Sequence, residues 1–450
     1  MNETPTTSMT PVGGPEDRLS REDLADSWPI LSPEERLEGF RLLSREQADE
    51  FFATLGPLEQ AELLHSMTPA EARNCIRQLE PDDAADLLQA VPAEQRAQLL
   101  DLLDEATHKE VTALLAYAED VAGGLMSPRY ARLRPELRVD EAISYLRKQA
   151  RERLETIYYV YVLDAEQHLL GVVSFRELFA AAPDKTVAHI MRPVAVAARE
   201  DMDQEELSRL FRQHGFLAIP VVDAENRMRG IVTIDDIVDV VEEEATEDIQ
   251  KLGGMEALDA PYMQIAFWRM VRKRAGWLAA LFLGEMLTAT AMAHFEDEIA
   301  RAVVLALFVP LIISSGGNSG SQATTLVIRA MALGEVKLSH WLFVIRRELA
   351  AGMALGTVLG SIGFLRIVLW QAVWPTYGEY YMLVALTVFS SLIGVVTFGT
   401  VAGSLLPFIL RKLGFDPASA SAPFVATLVD VTGLLIYFTT AQMILRGALL

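Results

Sequence analysis

The stretch from Phe424 to Phe438 reads FVATLVDVTGLLIYF, an apolar run with one carboxylate, Asp430, near its middle. A run of this kind is typical of a helix that crosses a lipid bilayer. A charged side chain at the centre of such a helix costs on the order of 2.5–3.5 kcal/mol on insertion scales. Asp430 therefore indicates a functional site, provided that the segment around it lies in a membrane.

The charge of the chain is divided unevenly along its 450 residues. After residue 262 the sequence has 9 acidic and 13 basic residues, which leaves 52 acidic and 26 basic residues before it. This difference predicts an acidic front part in water and a back part in lipid. The acidic front argues against nucleic acid as a partner and favours cations as ligands. The single cysteine, Cys75, excludes a disulfide framework and a cysteine-based zinc site within one chain.

Residues 26–125 are predicted to form short amphipathic helices that stack into a small superhelix. Each helix opens at a proline, where the missing N–H costs no hydrogen bond. The last four prolines of this region are Pro57, Pro69, Pro81 and Pro92, which lie 12, 12 and 11 residues apart. A protein-binding or spacer scaffold is one function of such repeats. Residues 1–25 lack a basic apolar leader and are predicted to be a disordered tail.

An internal duplication follows these helices. Residues 161–178 (YVLDAEQHLLGVVSFREL) align without gaps on residues 220–237 (PVVDAENRMRGIVTIDDI), at an offset of 59 residues. Each copy is predicted to contain a strand, a turn at Asp-Ala-Glu, a second strand after Gly171 or Gly230, and then a helix. Each copy is also preceded by a predicted helix.

The duplication resembles a tandem pair of cystathionine-β-synthase-type (CBS) domains, which we expect at residues 126–187 and 188–241. In such pairs a Ser/Thr-x-x-Asp motif at the end of the second strand can hold an adenosine ribose. Thr233 and Asp236 fit that motif, whereas the first copy departs from it by ending in Glu177. The resemblance therefore makes ATP a candidate ligand of the CBS pair, at Thr233 and Asp236.

An acidic helix connects the second copy to the back part, and we place it at residues 242–265. Like charges three or four residues apart destabilise a helix by about 0.2–0.5 kcal/mol per pair. We therefore expect something positive to lie beside this helix. The alternative is an acidic face that is simply solvated.

Five apolar segments follow, and each has the roughly 20 residues or more that are needed to cross a bilayer. They lie at residues 276–294, 302–328, 344–373, 381–410 and 422–445. Bases occupy the loops before the first segment, between the second and third, and between the fourth and fifth: Arg269, Arg272, Lys273, Arg274, Arg329, Lys337, Arg346, Arg347, Arg411 and Lys412. Basic loops face the cytoplasm. The pattern predicts cytoplasmic N-terminal domains and an outside C-terminus.

Two of these segments have unusual chemistry. The second contains PLIISSGGNSGSQATTLVI, which brings hydroxyls, amides and glycines to membrane depth. Close helix packing and the wall of an ion pathway are alternative explanations. In the fifth, Ala422, Ala426, Asp430 and Gly433 share one helix face, which leaves room for a hydrated ion.

A buried base is the alternative reason for a carboxylate at this depth. The basic candidate well inside a segment is Arg366, which could instead reach the outer surface. Glu285 and Glu348 are secondary candidates for intramembrane carboxylates.

The whole chain resembles the MgtE family of magnesium channels. The motifs that carry this resemblance are AGGLMSP (122–128), EEATEDIQKLGG (243–254), GGNSGSQ (316–322) and PFVATLVDVTGLLIY (423–437). The resemblance implies a multidomain fold with an α-helical superhelical N-terminal domain, tandem α/β CBS domains, an acidic connecting (plug) helix and a five-helix α transmembrane domain. The transmembrane domain is expected at residues 266–450.

The resemblance also implies a role for individual residues. The protein would be a homodimer in the plasma (inner) membrane that imports Mg²⁺, with Mn²⁺, Co²⁺ and Ca²⁺ as further candidate ions. Asp430 would be the central ion site of a pore on the two-fold axis. The predicted pore-lining residues are Ala426, Thr427, Gly433, Gly316, Gly317 and Asn318.

In such a channel, cytosolic magnesium closes the pore by binding acidic residues of the N-terminal, CBS and plug regions. The matching residues in this sequence are Asp82, Asp86, Asp203, Asp236, Asp239, Glu244, Glu247, Asp248 and Asp416. Asp416 is expected to share an ion with the plug helix. Bound ions would draw together domains whose carboxylates otherwise repel each other.

Two other functions compete with a passive channel. One is a secondary transporter that exchanges magnesium for sodium or protons, and the other is a nucleotide-sensing regulator whose apolar segments only anchor it. An enzyme is disfavoured because the sequence shows no nucleophile and base constellation, no phosphate-cradling glycine loop and no histidine-rich metal motif.

Overall fold

The computed structural model describes residues 20–150, 154–374 and 376–449. The chain divides into two compact units, Met1–Glu244 and Ala245–Leu450. The first unit opens with short helices at α1 (Arg21–Ser27), α2 (Pro33–Leu42), α3 (Arg45–Thr54), α4 (Pro57–Ser66), α5 (Pro69–Ile76), α6 (Pro81–Ala90), α7 (Ala93–Leu100) and α8 (Glu105–Leu114). The tail predicted at residues 1–25 falls largely outside the described residues, and its last part is helical because α1 begins at Arg21.

These helices repeat every twelve residues because their N-cap positions do. The N-caps are Ser20, Ser32, Ser44, Gly56, Thr68, Glu80, Pro92 and Asp104. The hydroxyl at Ser32, for example, accepts a hydrogen bond from the Glu35 amide, while Glu35 accepts one from the Ser32 amide. The prolines deviate from this period at the end because Pro92 is itself the N-cap, whereas Pro81 is the first helical residue.

Alternate helices pack against each other, so that α2, α4, α6 and α8 form a row and α1 packs on α3. This arrangement is the predicted superhelix. Phe51, Phe52 and Leu87 are fully buried in its core. The same core includes Phe211 and Ile219 of the second sheet domain, so the two parts of the first unit share one hydrophobic interior.

Two copies of one α/β fold follow the helices. The first consists of β1 (Tyr130–Leu133), α9 (Val139–Gln149), β2 (Thr156–Leu163), β3 (Leu169–Ser174), α10 (Phe175–Ala180) and α11 (Val187–Ile190). The second consists of β4 (Ala198–Arg199), α12 (Gln204–His214), β5 (Ala218–Val222), β6 (Met228–Thr233) and α13 (Ile234–Leu252). In each sheet the middle strand is parallel to the first strand and antiparallel to the third.

The register of the two sheets preserves the offset seen in the sequence. Tyr159 pairs with Ser174, and Ala218 pairs with Thr233, with 59 residues between equivalent positions. The glycines lie inside β3 and β6 and not before them as predicted. Glycine is required there because a Cβ on Gly230 would lie only 2.7 Å from the Ser127 carbonyl oxygen.

The second unit is almost entirely helical. Its long helices are α14 (Phe267–His294), α16 (Val309–Ala332), α17 (Trp341–Val373), α18 (Tyr381–Lys412) and α19 (Ala422–Leu445), with a short α15 (Glu296–Arg301) after the first. Short 3₁₀ helices lie at Val303–Phe308, Leu338–His340 and Pro417–Ser419. Among the described residues these five long helices are apolar and long enough to cross a membrane.

The helix α18 lies at the centre of this unit and packs on α16, α17 and α19. Its backbone approaches that of α16 so closely that a Cβ on Gly399 would lie 2.4 Å from the Gly316 carbonyl oxygen. The helix α14 is more peripheral and packs mainly on α19. The predicted fold class is confirmed, with the first long helix beginning at Phe267, before its predicted start.

Candidate metal sites

Asp430 lies near the middle of α19 and is partly buried. Ala426 precedes it by one turn on the same face. The helix α16 passes close to this face, because a Cβ on Gly317 would lie 3.5 Å from Ala426. The salt bridges of the described second unit all lie among residues 247–273 and Asp416, so none of them neutralises Asp430.

Arg366 is not the partner of Asp430. Its guanidinium donates a hydrogen bond to the Tyr377 hydroxyl at 3.0 Å, and it lies over the Trp370 ring at 4.6 Å. Both partners belong to the end of α17 and the loop that follows it. The buried ion pair considered from the sequence is therefore absent from the described residues.

The polar residues of α16 separate into two faces. Gly316 is buried against Val395 and Val429, and Gly433 of α19 also lies against Val395. These two glycines, predicted to line a pore, are covered by helices of their own chain. Asn318 points elsewhere, since it is exposed and its amide donates to the Ser314 hydroxyl at 3.4 Å.

The exposed face of α16 offers side-chain oxygens and amides. It carries Ser314, Asn318, Gln322 and Thr325. The helix is continuous from Val309 to Ala332, so its backbone carbonyls remain engaged in helical hydrogen bonds. One face of α16 therefore packs against other helices, and another face exposes polar side chains. Ala426 and Thr427 of α19 are partly buried.

A second group of carboxylates lies in the first unit, where α6 approaches the second sheet domain. Asp82 and Asp86 come from α6, Asp236 from the first turn of α13, and Glu155 from the residue before β2. Asp82 is only 5% exposed, and its Oδ1 atom has no hydrogen-bond partner. The other three are partly buried, and we call these four residues the buried carboxylate cluster.

Burial and mutual repulsion raise the pKa of every member of this cluster. Burial, with the nearby charges of Asp236 and Glu155, raises the pKa of Asp82 well above its usual value. Burial together with neighbouring carboxylates raises the pKa of Asp86 to about 8. Burial likewise raises the pKa values of Asp236 and Glu155 to about 7, although hydrogen bonds from Thr233 and Ser127 oppose the shift.

No salt bridge between described residues ends on the buried carboxylate cluster. Arg129, whose carbonyl oxygen accepts a hydrogen bond from the Glu155 amide at 2.9 Å, pairs instead with Glu80 and Glu110 at 3.3 and 2.8 Å. Carboxylates crowded in this way require protons or a bound cation. Oxygen ligands of this kind are those that Mg²⁺ and Ca²⁺ take in proteins.

Glu155 was not among the residues predicted from the sequence. It is 73 positions from Asp82, which lies on a helix, and 81 from Asp236. No spacing rule connects such positions. Its only local signal is a carboxylate placed directly before a buried strand.

Asp203 lies at the start of α12 and acts as its N-cap. Its Oδ1 atom accepts hydrogen bonds from the amides of Glu205 and Glu206 at 2.9 and 3.4 Å. The side chain is exposed, so capping accounts for it. The next residue, Gln204, donates to Glu244 of α13 at 2.7 Å and so joins α12 to the acidic helix. Burial raises the pKa of Asp239, one turn beyond Asp236.

Asp416 has a base as its partner. The Lys251 ammonium lies 2.7 Å from Asp416 Oδ2 and also contacts Glu247. Asp416 accepts a further hydrogen bond from the Ala418 amide at 2.8 Å. The plug helix and this loop were expected to share a metal ion, which stays a prediction, and a lysine of the plug already supplies positive charge to Asp416. Asp248 is partly buried in the same last turns of α13.

Thr233 and Asp236 cap the start of α13. The Thr233 hydroxyl and amide donate to Asp236 Oδ2 at 2.8 and 3.0 Å. The same hydroxyl also contacts Asp235. Both residues of the predicted ribose motif are therefore engaged in local hydrogen bonds, and ATP binding there stays a prediction.

A turn in the first sheet domain brings together Asp164, Glu166 and His168, with potential ligand atoms within 4.8 Å of one another. Asp164 Oδ1 accepts hydrogen bonds from the amides of Glu166 and His168 at 3.0 and 2.8 Å. The equivalent turn of the second copy has Arg227 in place of His168, with the same bonds to Asp223. The aspartates are accounted for by holding the two turns.

Family models match the N-terminal helices, the two α/β copies and most of the long apolar helices. Residues 19–120 match the model of the MgtE intracellular N domain, and residues 118–184 and 187–243 match the CBS domain. Residues 309–440, which include Asp430, match the model described as MgtE, a divalent cation transporter.

The magnesium transporter MgtE of Thermus thermophilus is 43% identical over 77% of this chain and 75% of its own length. That of Enterococcus faecalis is 34% identical over 75% of this chain and 72% of its own. A crystal structure of the cytosolic domain of the Mg²⁺ channel MgtE in complex with ATP is 45% identical, with a TM-score of 0.46, and covers 49% of this chain and 90% of that one. The chain belongs to the MgtE family of divalent cation transporters, as a multi-pass membrane protein with a soluble N-terminal part.

Proposed function

We propose that this protein is a magnesium channel that imports Mg²⁺ into the cytoplasm and closes when cytosolic Mg²⁺ is abundant. The observation that carries the transport role is Asp430, a carboxylate within a membrane-spanning helix that has no base as its partner among the described residues. Such residues mark ion pathways in membrane proteins. The names of the relatives, magnesium transporters, support Mg²⁺ as the ion.

The proposed channel is a homodimer with its pore on the two-fold axis. Two Asp430 carboxylates would then face one ion. Mg²⁺ loses water reluctantly and is bound by one or two carboxylates plus retained waters, which suits such a pair. Ala426 and the exposed Asn318 would border the ion's water shell, because both lie on surfaces that this chain leaves at least partly open.

The proposed orientation places the N-terminus in the cytoplasm and the C-terminus outside. Basic side chains on one side support it, among them Arg329 and Arg411 near the ends of α16 and α18. The opposite side has the acidic α15. The membrane potential then drives import, at about 2.3 kcal/mol per charge per 100 mV.

The buried carboxylate cluster supports regulation by magnesium. Its members repel one another and have no paired base among the described residues. A bound dication would remove the repulsion and hold α6 against the start of α13. Asp236 belongs to the helix whose other end, at Lys251, contacts the loop before α19. Ion binding at one end of α13 would thereby stabilise the closed state at the other end.

The experiment that tests the channel uses the full-length protein in liposomes that contain a magnesium-sensitive dye. Wild type should carry Mg²⁺ down its gradient, and Asp430→Asn, which preserves shape and removes charge, should lose uptake. Mn²⁺, Co²⁺ and Ca²⁺ under the same conditions rank the ions. Absence of uptake by wild type, or normal uptake by Asp430→Asn, would contradict the proposal.

Secondary transport is the alternative, in which Mg²⁺ moves only in exchange for Na⁺ or protons. Single-channel currents from the purified protein without any opposing gradient would exclude obligatory exchange. Flux that stops whenever the Na⁺ and proton gradients are removed would instead exclude the channel.

A further inference from the structure

A second carboxylate lies beside Asp430 in the same chain. It belongs to Glu285 on α14, which is close enough to interact electrostatically with the Asp430 carboxylate. The contact is possible because α14 approaches α19 closely at the preceding residue. A Cβ on Gly284 would lie 2.9 Å from the Thr427 methyl group. Because Gly284 has no side chain, α14 approaches α19 closely enough to place Glu285 at the level of Asp430.

The surroundings of Glu285 do not neutralise it. Its neighbours on α14 are apolar and exposed, with Phe282 and Leu283 at 67% and 66% exposure. Arg366 is engaged with Tyr377 and Trp370. No salt bridge of the described residues ends on Glu285 or on Asp430. Two carboxylates therefore meet within the membrane-spanning helices without a base.

Carboxyl groups that meet in this way hold a proton or a bound cation. Asp430 lies within the segment that matches the divalent cation transporter model, residues 309–440. Glu285 lies outside that segment, so the family match assigns it no role. Glu285 is exposed and Asp430 is partly exposed.

We propose that Glu285 is a second carboxylate of the ion pathway and increases its preference for divalent over monovalent cations. This inference rests on the proposed transport through the Asp430 site. Glu285 would act on the ion through its retained waters, because a hydrated Mg²⁺ presents water hydrogens and not bare metal to most of its surroundings. Each added carboxylate attracts a dication twice as strongly as a monocation at the same distance, so it raises the discrimination between them.

A purely structural role would have a different signature. In that case a protonated Glu285 would only donate a hydrogen bond that fixes the Asp430 side chain. Glutamine can donate the same hydrogen bond through its amide group but carries no charge. Aspartate keeps the charge on a shorter side chain. These substitutions separate charge from hydrogen bonding at one position.

The test compares Glu285→Gln, Glu285→Asp and Glu285→Ala with wild type, all as full-length protein in liposomes. Two quantities are measured: the half-saturating Mg²⁺ concentration for uptake, and the Mg²⁺ to K⁺ permeability ratio from reversal potentials. Glu285→Gln should raise the half-saturating Mg²⁺ concentration and lower the Mg²⁺ to K⁺ permeability ratio. Each should change by about tenfold, because one charge near the ion is lost. Glu285→Asp should stay near wild type, and Glu285→Ala should resemble Glu285→Gln.

Glu348→Gln is the matched control, because Glu348 is a membrane glutamate of α17 beside Arg347, and it should behave as wild type. Size-exclusion profiles confirm that each variant remains folded. Wild-type values in Glu285→Gln overturn the inference, and so does a loss in Glu285→Ala that Glu285→Gln does not share. Absence of Mg²⁺ uptake by wild type overturns the proposed function itself, whatever the variants do.

Discussion

The buried carboxylate cluster of the first unit and the Asp416 site of the second unit satisfy acidic side chains in opposite ways. In the cluster, Asp82 is 5% exposed, and Asp82 and Asp86 have raised pKa values and no paired base among the described residues. At the second site, Asp416 meets the Lys251 ammonium at 2.7 Å. The cluster is left to protons or to a cation from solution, whereas Asp416 receives its positive charge from the chain.

This difference determines which contact can respond to magnesium. A lysine is present at every magnesium concentration, so the Lys251 contact acts as a constant attachment. In the proposed regulation the cluster changes its net charge when an ion binds, so its stability would depend on ion concentration. The same helix, α13, contributes Asp236 to one site and Lys251 to the other. A variable contact and a constant contact thus act on one element.

The largest effect is expected when charge is removed from the buried carboxylate cluster. In Asp86→Asn combined with Asp236→Asn, the amides no longer repel their neighbours and no longer bind a dication well. Wild-type protein should resist proteolysis of the front part about tenfold better in about 10 mM Mg²⁺ than without it. The double variant should resist equally under both conditions. Limited proteolysis followed on gels measures the two rates.

Asp203→Asn is the matched control for that experiment. It removes one acidic charge from the same unit, but asparagine still accepts the hydrogen bonds that cap α12. The magnesium response should survive in this control. Loss of the response in Asp203→Asn would instead restore Asp203 as a metal ligand. A full response in the double variant would remove the cluster as the sensor.

A smaller effect is expected when the contact between Lys251 and Asp416 is removed. Lys251→Gln breaks the contact with Asp416, in which the two side chains are 27% and 37% exposed. A partly exposed pair of this kind is worth about 1 kcal/mol, so the Mg²⁺ concentration that half-closes the channel should rise about fivefold. Flux into liposomes at increasing Mg²⁺ on the cytoplasmic side measures this concentration.

Two further variants determine whether the pair itself causes the shift. Lys251→Asp combined with Asp416→Lys reverses the charges and should recover part of the wild-type value, because the new aspartate repels Glu247 and the hydrogen bond from the Ala418 amide to Asp416 is lost. Lys412→Gln removes an equal charge from an exposed position at the end of α18 and should have no effect. A shift in Lys412→Gln as large as that in Lys251→Gln would assign the effect to the general charge of the loop.

The architecture was predictable because it depends on local, periodic signals. Capping residues such as Ser32 and Thr68 recur every twelve residues, and the offset of 59 residues carries over into the strand register. Long apolar runs predicted the five spanning helices. Pro92 was expected to open its helix and lies at the N-cap, because proline is compatible with both the N-cap and the first turn.

The contacts between distant segments were less predictable. Glu155 joins the cluster from far along the chain, and Lys251 meets Asp416 across 165 positions. Neither pairing has a periodic signal, because both depend on how separate elements pack. Gly316 and Gly433 illustrate the same limit, since small residues serve helix packing and pore walls equally well in a sequence. Their contacts with Val395 distinguish the two uses.

The smallest expected effect concerns pH, and its sign separates the two sites. When folding raises the pKa of a carboxyl group, the group does not lower the free energy of unfolding at pH values below its unfolded pKa, about 4. It lowers that free energy by the full amount only at pH values above its folded pKa. For Asp86 and Asp236 the folded values are about 8 and about 7. The stability of magnesium-free protein should therefore fall as the pH rises from about 4 to about 8.

At Lys251 the direction is reversed and the window lies higher. Burial lowers the pKa of Lys251, but hydrogen bonds to Asp416 and Glu247 outweigh burial and raise it above 10.5. The stabilisation that this contact provides is fully present below the unfolded pKa of Lys251. It is lost only in strongly alkaline solution. Between about pH 5.5 and about pH 8.5 it contributes no change. Any pH dependence in this range must come from elsewhere, and the cluster is the candidate.

Thermal unfolding of the full-length protein in detergent measures this dependence. Without Mg²⁺, Tm should fall by about 5 °C between about pH 5.5 and about pH 8.5, and saturating Mg²⁺ should reduce the fall because the ion replaces the lost protons. The Asp86→Asn and Asp236→Asn double variant should show a smaller fall with or without Mg²⁺, since its amides do not titrate. An unchanged fall in that variant would show that the titrating groups lie outside the cluster.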